Sequence, residues 1–166
     1  LKGVVWGRPV LPGEGKPIDP GKLVRKLGFD SVTSYVWIHH VRLPKLETDF
    51  DYVQQKYFDY WTRAEKTFDV PYYPNVTMGW DPSPRTVQDT EFGNFGYPYT
   101  NTIANNTPRQ FGKALRAVKK RLSARDGSRI LTLNAWNEWT EGSYLEPDET
   151  HGMGYLEAID RVFGED

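Results

Sequence analysis

The sequence predicts an α/β fold made of parallel βα units, and more narrowly the C-terminal portion of a (β/α)8 TIM-type barrel. Three observations lead there. Three β-like runs each pass into a loop and then a helical stripe, and aromatic and polar residues gather where each run ends. No glycine-rich phosphate loop follows the first run, as an open doubly wound sheet would usually show. About three parallel units fill the 166 residues, whereas a closed barrel takes roughly 250. The expectation is a single, partial barrel domain over residues 1–166, with its missing N-terminal strands before Leu1.

Each element has a local reason. Asp19-Pro20 offers an N-cap and a first helical residue, Leu23, Val24 and Leu27 give one apolar stripe, and Gly28 a stop. "FDSVTSYVW" is rich in β-branched and aromatic residues and reads as a strand. Residues 51–69 place Val53, Tyr57, Trp61, Ala64 and Phe68 at helical spacing, and Val70-Pro71 ends that helix. "YYPNVTMGW" is the next strand, followed by a loop rich in Gly, Pro and Asn from about Asp81 to Asn106. Thr107-Pro108 opens a helix with the stripe Phe111, Ala114, Leu115, Val118 and Leu122. Asp126-Gly127 turns the chain into the strand "RILTLNAW", and Tyr155, Ile159 and Val162 mark a closing helix.

Composition removes several function classes. Lys plus Arg is 21 and Asp plus Glu is 22, a net charge of −1, which argues against a nucleic-acid or anionic-membrane surface. No apolar run is long enough to span a bilayer, no signal-peptide pattern opens the chain, and Leu1 in place of Met points to a processed or excised N-terminus. The absence of cysteine excludes disulfides and cysteine-based zinc sites and leaves the compartment open, and the sequons at Asn75 and Asn105 do not decide it. Aromatic residues reach 14 %, with six Trp and ten Tyr, which suits either a ring-filled core or a surface for flat ligands.

Catalytic groups of a barrel sit at the C-terminal ends of its strands. Here those ends carry Tyr35, Trp37, His39 and His40; then Trp80, Asp81 and Arg85; then Trp136, Asn137, Glu138, Trp139 and Glu141. Two carboxylates are what glycosidic bond chemistry needs, one to protonate the leaving oxygen and one to attack, activate a nucleophile or stabilise charge. Glu138 and Glu141 are three apart, so they converge only if the chain turns tightly, which Gly142 favours. Tryptophans on both sides would restrict water and raise one carboxyl pKa. The same residues also suit a strand end whose tryptophans pack the barrel mouth and whose glutamates are solvated.

Other candidates are less specific. His39-His40 suits a sugar contact or a structural hydrogen bond better than a metal shared with Asp81, because ligand spacing is missing. Asp81 and Arg85 could form a salt bridge that shapes their loop, or bind substrate. Glu146 orders the loop or joins a substrate rim, Tyr97 and Tyr99 are candidates for stacking or packing, and Asn134 could satisfy backbone groups inside the barrel.

The strings "NAWNEWTEGSYLEPD…GYLEAI", "GFDSVTSY" and "GWDPSPR" resemble the WbsX-type family, named for glycosyltransferases and similar to glycoside hydrolase family 99, over roughly Leu27 to Phe163. The resemblance implies a (β/α)8 enzyme that retains anomeric configuration without metal or other cofactor, acting on α-mannoside-like oligosaccharides or polysaccharides from within the chain. The motif Asn-Glu-Trp-x-Glu-Gly falls on Asn137, Glu138, Trp139, Glu141 and Gly142. By that match Glu138 is the base that deprotonates the sugar 2-hydroxyl to give a 1,2-anhydro intermediate. Glu141 is the acid that protonates the leaving group and then activates water. Thr140 stands where family 99 has a histidine, and "SYLEPD" downstream also departs from it. The expected substrate contacts are Trp136, Asn137, Trp139, Trp80, Asp81, Tyr35, Trp37, His39, Tyr97 and Glu146. Two alternatives remain at this point, a glycosyltransferase of surface polysaccharide synthesis and a non-catalytic sugar-binding module.

Overall fold

The computed structural model describes residues 19–164, a mixed α/β arrangement of four helices and short, mostly parallel strands. Leu1 and the segment that would lead to it lie outside the described residues. Helix α1 (Pro20–Leu27) starts where Asp19 Oδ1 accepts from the amides of Gly21 and Lys22 at 2.8 and 3.2 Å. It stops at Gly28, whose φ of 67° is the left-handed cap that glycine allows. Strand β1 is only Val32–Thr33, shorter than the sequence pattern suggests. The chain then turns into a single 3-10 turn, Trp37–His39, so Trp37 does not end a strand.

Strand β2 (Glu47–Asp49) leads into α2 (Phe50–Thr67), capped by Asp49 and burying Phe50, Val53, Tyr57, Tyr60, Trp61 and Ala64. Strands β3 (Tyr72–Tyr73) and β4 (Asn75–Thr77) follow in one extended stretch. Strand β5 (Thr102–Ala104) lies within the stretch read as loop and pairs in parallel with β2, a pairing the sequence did not announce. Helix α3 (Pro108–Ser123) begins at the expected Thr107 cap, and its buried stripe is the expected one with Gly112 added. After β6 (Thr132–Asn134), a small antiparallel pair forms from β7 (Asn137–Glu138) and β8 (Ser143–Tyr144). Helix α4 (Gly154–Phe163) packs on α3 through Tyr155, Ala158 and Val162.

The three expected strands are parallel and adjacent. β1 pairs with β3, β4 pairs with β6, and the 72–77 stretch is therefore the middle of the order. Register sorts side chains onto two faces, because neighbours in register share a face and successive residues alternate. Val32, Tyr72 and Val76 fall on the face that meets the helices, where Tyr72 stacks on Phe68 and its hydroxyl lies 2.8 Å from that of Tyr57 in α2. Thr33, Tyr73, Asn75, Thr77, Thr132 and Asn134 fall on the other face, which is polar and tied together by hydrogen bonds. Thr33 and Thr132 hydroxyls lie 3.0 Å apart, and the Asn75 amide donates to Thr132 Oγ1 at 3.2 Å. The apolar core thus lies between sheet and helices, and the strands deliver their C-terminal ends to one side.

Candidate active site

β6 ends at Asn134, where the peptide to Ala135 is cis. Asn134 accepts on Oδ1 from Thr77 at 2.8 Å and from Ser143 at 2.7 Å, and Ser143 also reaches its carbonyl at 2.7 Å. This buried triad clamps the β7–β8 pair to the end of the central strand. Asn134, expected to serve backbone groups, serves two hydroxyls instead.

Between β7 and β8 the chain makes one 3-10 turn, Trp139–Glu141, closed by Gly142 at φ 60°. That turn is what brings Glu138 and Glu141 to one side, as their spacing required. A second anchor holds it from behind, where the Asp81 amide donates to the Glu141 carbonyl at 2.7 Å. A Cβ on Gly142 would lie 2.8 Å from Asp81 Cβ, so the two strand ends approach as closely as glycine permits.

Both carboxylates meet one guanidinium. Arg85 donates from Nη2 to Glu138 Oε1 and from Nη1 to Glu141 Oε1, each at 2.8 Å. Its Nε donates to Thr140 Oγ1 at 2.8 Å, and Thr140 in turn donates to Glu138 Oε1 at 3.0 Å. Nη1 also donates to the Tyr97 hydroxyl. Arg85 therefore pairs with the glutamates, and Asp81, its expected partner, accepts from the Ser83 amide at 2.9 Å. No local sequence signal points from Arg85 to residues more than fifty positions away.

The two glutamates sit in different surroundings. Glu141 is 9 % exposed, and its Oε2 is buried without a hydrogen-bond partner among the described residues. Burial pushes its carboxyl pKa up, Arg85 pulls it back, and the Glu138 charge pushes it up again. Glu138 has a third of its side-chain surface exposed. Tyr35 stands across from the pair, its phenol raised by burial and then by the charges of Glu141 and Glu138.

The remaining candidates divide into exposed rings and buried ones. Trp136, Trp139 and Tyr97 present large exposed surfaces, and Trp139 stacks on Tyr144 with centroids 3.7 Å apart. Trp139 Nε1 donates to Glu146 Oε2 at 2.6 Å, which places Glu146 as the strut of that ring. Asn137 is exposed opposite Tyr144. His39 is exposed with its ring 6.0 Å from Tyr35. Trp80 is nearly buried, donating to Thr100 Oγ1 at 3.1 Å, and Trp37 is fully buried against Phe50 and Tyr57 with its Nε1 on the Asn75 carbonyl. Trp37 offers no free face, whereas Trp80 lines a cavity of about 250 Å3 together with Leu43 and Thr100. Tyr99 folds its own loop by accepting from the Val87 amide at 3.0 Å. His40 lies flat on Tyr60 with centroids 4.0 Å apart, and burial pushes its pKa down to about 3. Behind Gly142 a cavity of about 270 Å3 is lined in part by Asp81, Asn106, Tyr144 and His151. Among the described residues no cluster of three or more His, Cys, Asp or Glu is placed to hold a metal ion, and no helix is long and apolar enough to cross a membrane.

Against known proteins, the profile of the family described as "Glycosyltransferase WbsX" matches residues 25–159. Two relatives, each named "Uncharacterized protein WxcX" and each from a strain of Xanthomonas campestris pv. campestris, are 38 % identical over 92 residues. The matched stretch is 54 % of this chain and only 12 % of either relative, so the chain spans a small part of their length. No solved structure matches it.

Proposed function

We propose, for a chain that belongs to the carbohydrate-active WbsX glycosyltransferase family, that Glu138 and Glu141 are the catalytic pair of a retaining, endo-acting glycoside hydrolase. The observation that carries this reading is the pairing of both glutamates with Arg85 on one turn, with Glu141 buried and Glu138 partly open. Exposed rings of Trp136, Trp139, Tyr97 and Tyr35 surround the turn, as stacking on sugar faces would use. The substrate is an oligosaccharide or polysaccharide of α-mannoside type.

In the proposed reaction Glu138 takes the proton of the sugar 2-hydroxyl as O2 attacks the anomeric carbon. Glu141 gives its proton to the departing glycosidic oxygen, and a 1,2-anhydro sugar remains. Water then adds at the anomeric carbon, losing a proton to Glu141, while the O2 bond opens and O2 recovers its proton from Glu138. Two inversions give net retention. The raised pKa of Glu141 suits the first of its two roles, since it must arrive protonated. If a sugar hydroxyl replaces water in the second step the same site transfers, which is the reading the family name favours. The acidic string Asp49-Phe50-Asp51 has the look of a sugar-nucleotide metal motif. Its side chains are engaged elsewhere, however: Asp49 caps α2 and accepts from Asn105 at 2.8 Å, and Asp51 accepts from Gln110 at 2.9 Å.

The architecture proposed for this site is about three βα units from the C-terminal part of a (β/α)8 barrel, forming one domain over 1–166 with the other units supplied by sequence outside it. Parallel order, a helix-covered apolar face and a polar opposite face support it. Glu138→Gln in the complete protein separates an enzyme from a binding module. An enzyme keeps its glycan and loses turnover; a module keeps glycan binding with no turnover to lose, and that outcome would end the hydrolase reading.

A further inference from the structure

Arg85 has no part in the proton transfers above, yet it donates to four side chains of the site, Glu138, Glu141, Thr140 and Tyr97. We propose that Arg85 is the positioning residue of the pair, a rigid fork that fixes the spacing of Glu138 and Glu141 and commits one oxygen of each to itself. This rests on the reading of the glutamates as catalytic.

The geometry has three parts. First, the fork spans two carboxylates, taking Oε1 of Glu138 through Nη2 and Oε1 of Glu141 through Nη1, each at 2.8 Å. A planar guanidinium can do this and a lysine ammonium cannot hold the same two directions. Second, the fork is itself fixed, by Thr140 on Nε at 2.8 Å and by the Tyr97 hydroxyl on Nη1. Third, its backbone is set before any glycan arrives. Arg85 ends a single 3-10 turn whose first amide, that of Ser83, donates to Asp81 Oδ1 at 2.9 Å and whose end is closed by the Thr86 amide and hydroxyl on the Ser83 carbonyl at 3.0 and 2.7 Å.

Two consequences follow for chemistry. Two carboxylates on one short turn repel, and a shared cation lets them stay close with at least one ionised. With Oε1 of Glu141 held, its other oxygen is the one left to carry the proton, and that atom has no hydrogen-bond partner among the described residues. The charged and titratable groups facing the pair are Arg85 and Tyr97 from the long segment and Tyr35 from the end of β1. Asp81 stands behind the turn, where it joins the Glu141 backbone.

The test is a carbon-13 NMR titration of glutamate carboxyls in the complete protein, with Glu138→Gln and Glu141→Gln giving the assignments, beside turnover of an α-mannoside with a poor alkyl or sugar leaving group. For Arg85→Ala we expect the Glu141 carboxyl to titrate at higher pH than in the unaltered protein, since Arg85 pulls it down, and kcat to fall about a hundredfold with KM changed far less. Added guanidinium should recover part of kcat, and Arg85→Lys should restore most of the titration but only part of the turnover. An unshifted titration and unchanged kcat in Arg85→Ala, with both Gln variants inactive, overturns the role of Arg85 and leaves the pair intact. A shifted titration with both Gln variants fully active keeps Arg85 as the fork of the two carboxylates and removes the catalytic reading instead.

Discussion

Replacing Gly142 by Ala should damage the protein twice, and the two costs can be separated. Gly142 has φ 60° and ψ 31°, where an L-residue is disfavoured by about 1–2 kcal/mol. An added Cβ would also lie 2.8 Å from Asp81 Cβ and 3.1 Å from Asp81 N, and the same Asp81 N donates to the Glu141 carbonyl at 2.7 Å. The turn can relieve the contact only by stretching that hydrogen bond, worth about 1 kcal/mol. The sum is roughly 2–3 kcal/mol, or roughly 4–12 °C in Tm for a domain of this size. Gly127 supplies the control, because its φ is 89° with nothing within 4 Å of an added Cβ, so Gly127→Ala carries only the dihedral cost. Thermal unfolding followed by near-UV circular dichroism, together with turnover, should rank Gly142→Ala below Gly127→Ala in stability, and only Gly142→Ala should lose activity. Equal Tm values and equal turnover for the two would refute the claim that this turn positions the glutamates.

Other consequences can be checked alongside. Trp61 is fully buried in α2 beneath the Arg121 guanidinium, 3.9 Å from its ring, so Trp61→Ala should cost about 3–5 kcal/mol in urea unfolding and Trp61→Phe clearly less. His40 has a folded pKa of about 3 against an ordinary 6.5, so the unfolded chain takes a proton that the native chain refuses. Stability should therefore fall as pH drops from about 6.5 towards 3, by up to about 1.4 kcal/mol per unit, and His40→Phe should remove that part of the slope. For Glu141 the sign is opposite. Its raised carboxyl binds a proton more readily in the native state, so stability should decline as pH rises above the ordinary carboxylate value, and Glu141→Gln should flatten this. β1 and β6 have no second ladder partner among the described residues, and Ile130 beside β6 is exposed, so the 166-residue chain produced alone should self-associate in sedimentation while Ile130→Lys lessens it. A monomeric chain that unfolds in one cooperative step would contradict the partial-barrel proposal.

Much of the frame was legible because its causes are local. Asp19 and Gly28 bracket α1, Thr107-Pro108 opens α3, and each helical stripe names the side that is buried, since caps and periodicity act within a few residues. The tight turn at Glu138–Gly142 was legible too, from the need of an i, i+3 pair to converge and from the glycine that closes it. The rest depends on distant partners. Trp37 and Trp136 look alike in sequence, each near the end of a β-like run, but α2 brings Phe50 and Tyr57 over Trp37, and no described residue covers Trp136 in the same way. β2 and β5 pair across more than fifty residues, and three-residue strands with Glu, Thr and Asp in one of them carry no strand signal of their own. Arg85 followed the same rule, since the carboxylates it meets in space are Glu138 and Glu141 and not its nearest acidic neighbours in sequence, Asp81 and Asp89.

The most direct test of the central claim compares two glycosides in the complete protein, one with a poor alkyl or sugar leaving group and one with an activated aryl group. General acid assistance is worth about 10²–10⁴ in rate, or about 2.7–5.4 kcal/mol of barrier. Glu141→Gln should lose that factor in the first glycosylic step with the poor leaving group and far less with the aryl group. Glu138→Gln should slow both substrates alike, because its action on the 2-hydroxyl precedes departure of either. Equal loss for Glu141→Gln on both substrates, or no loss for either variant, would contradict the account.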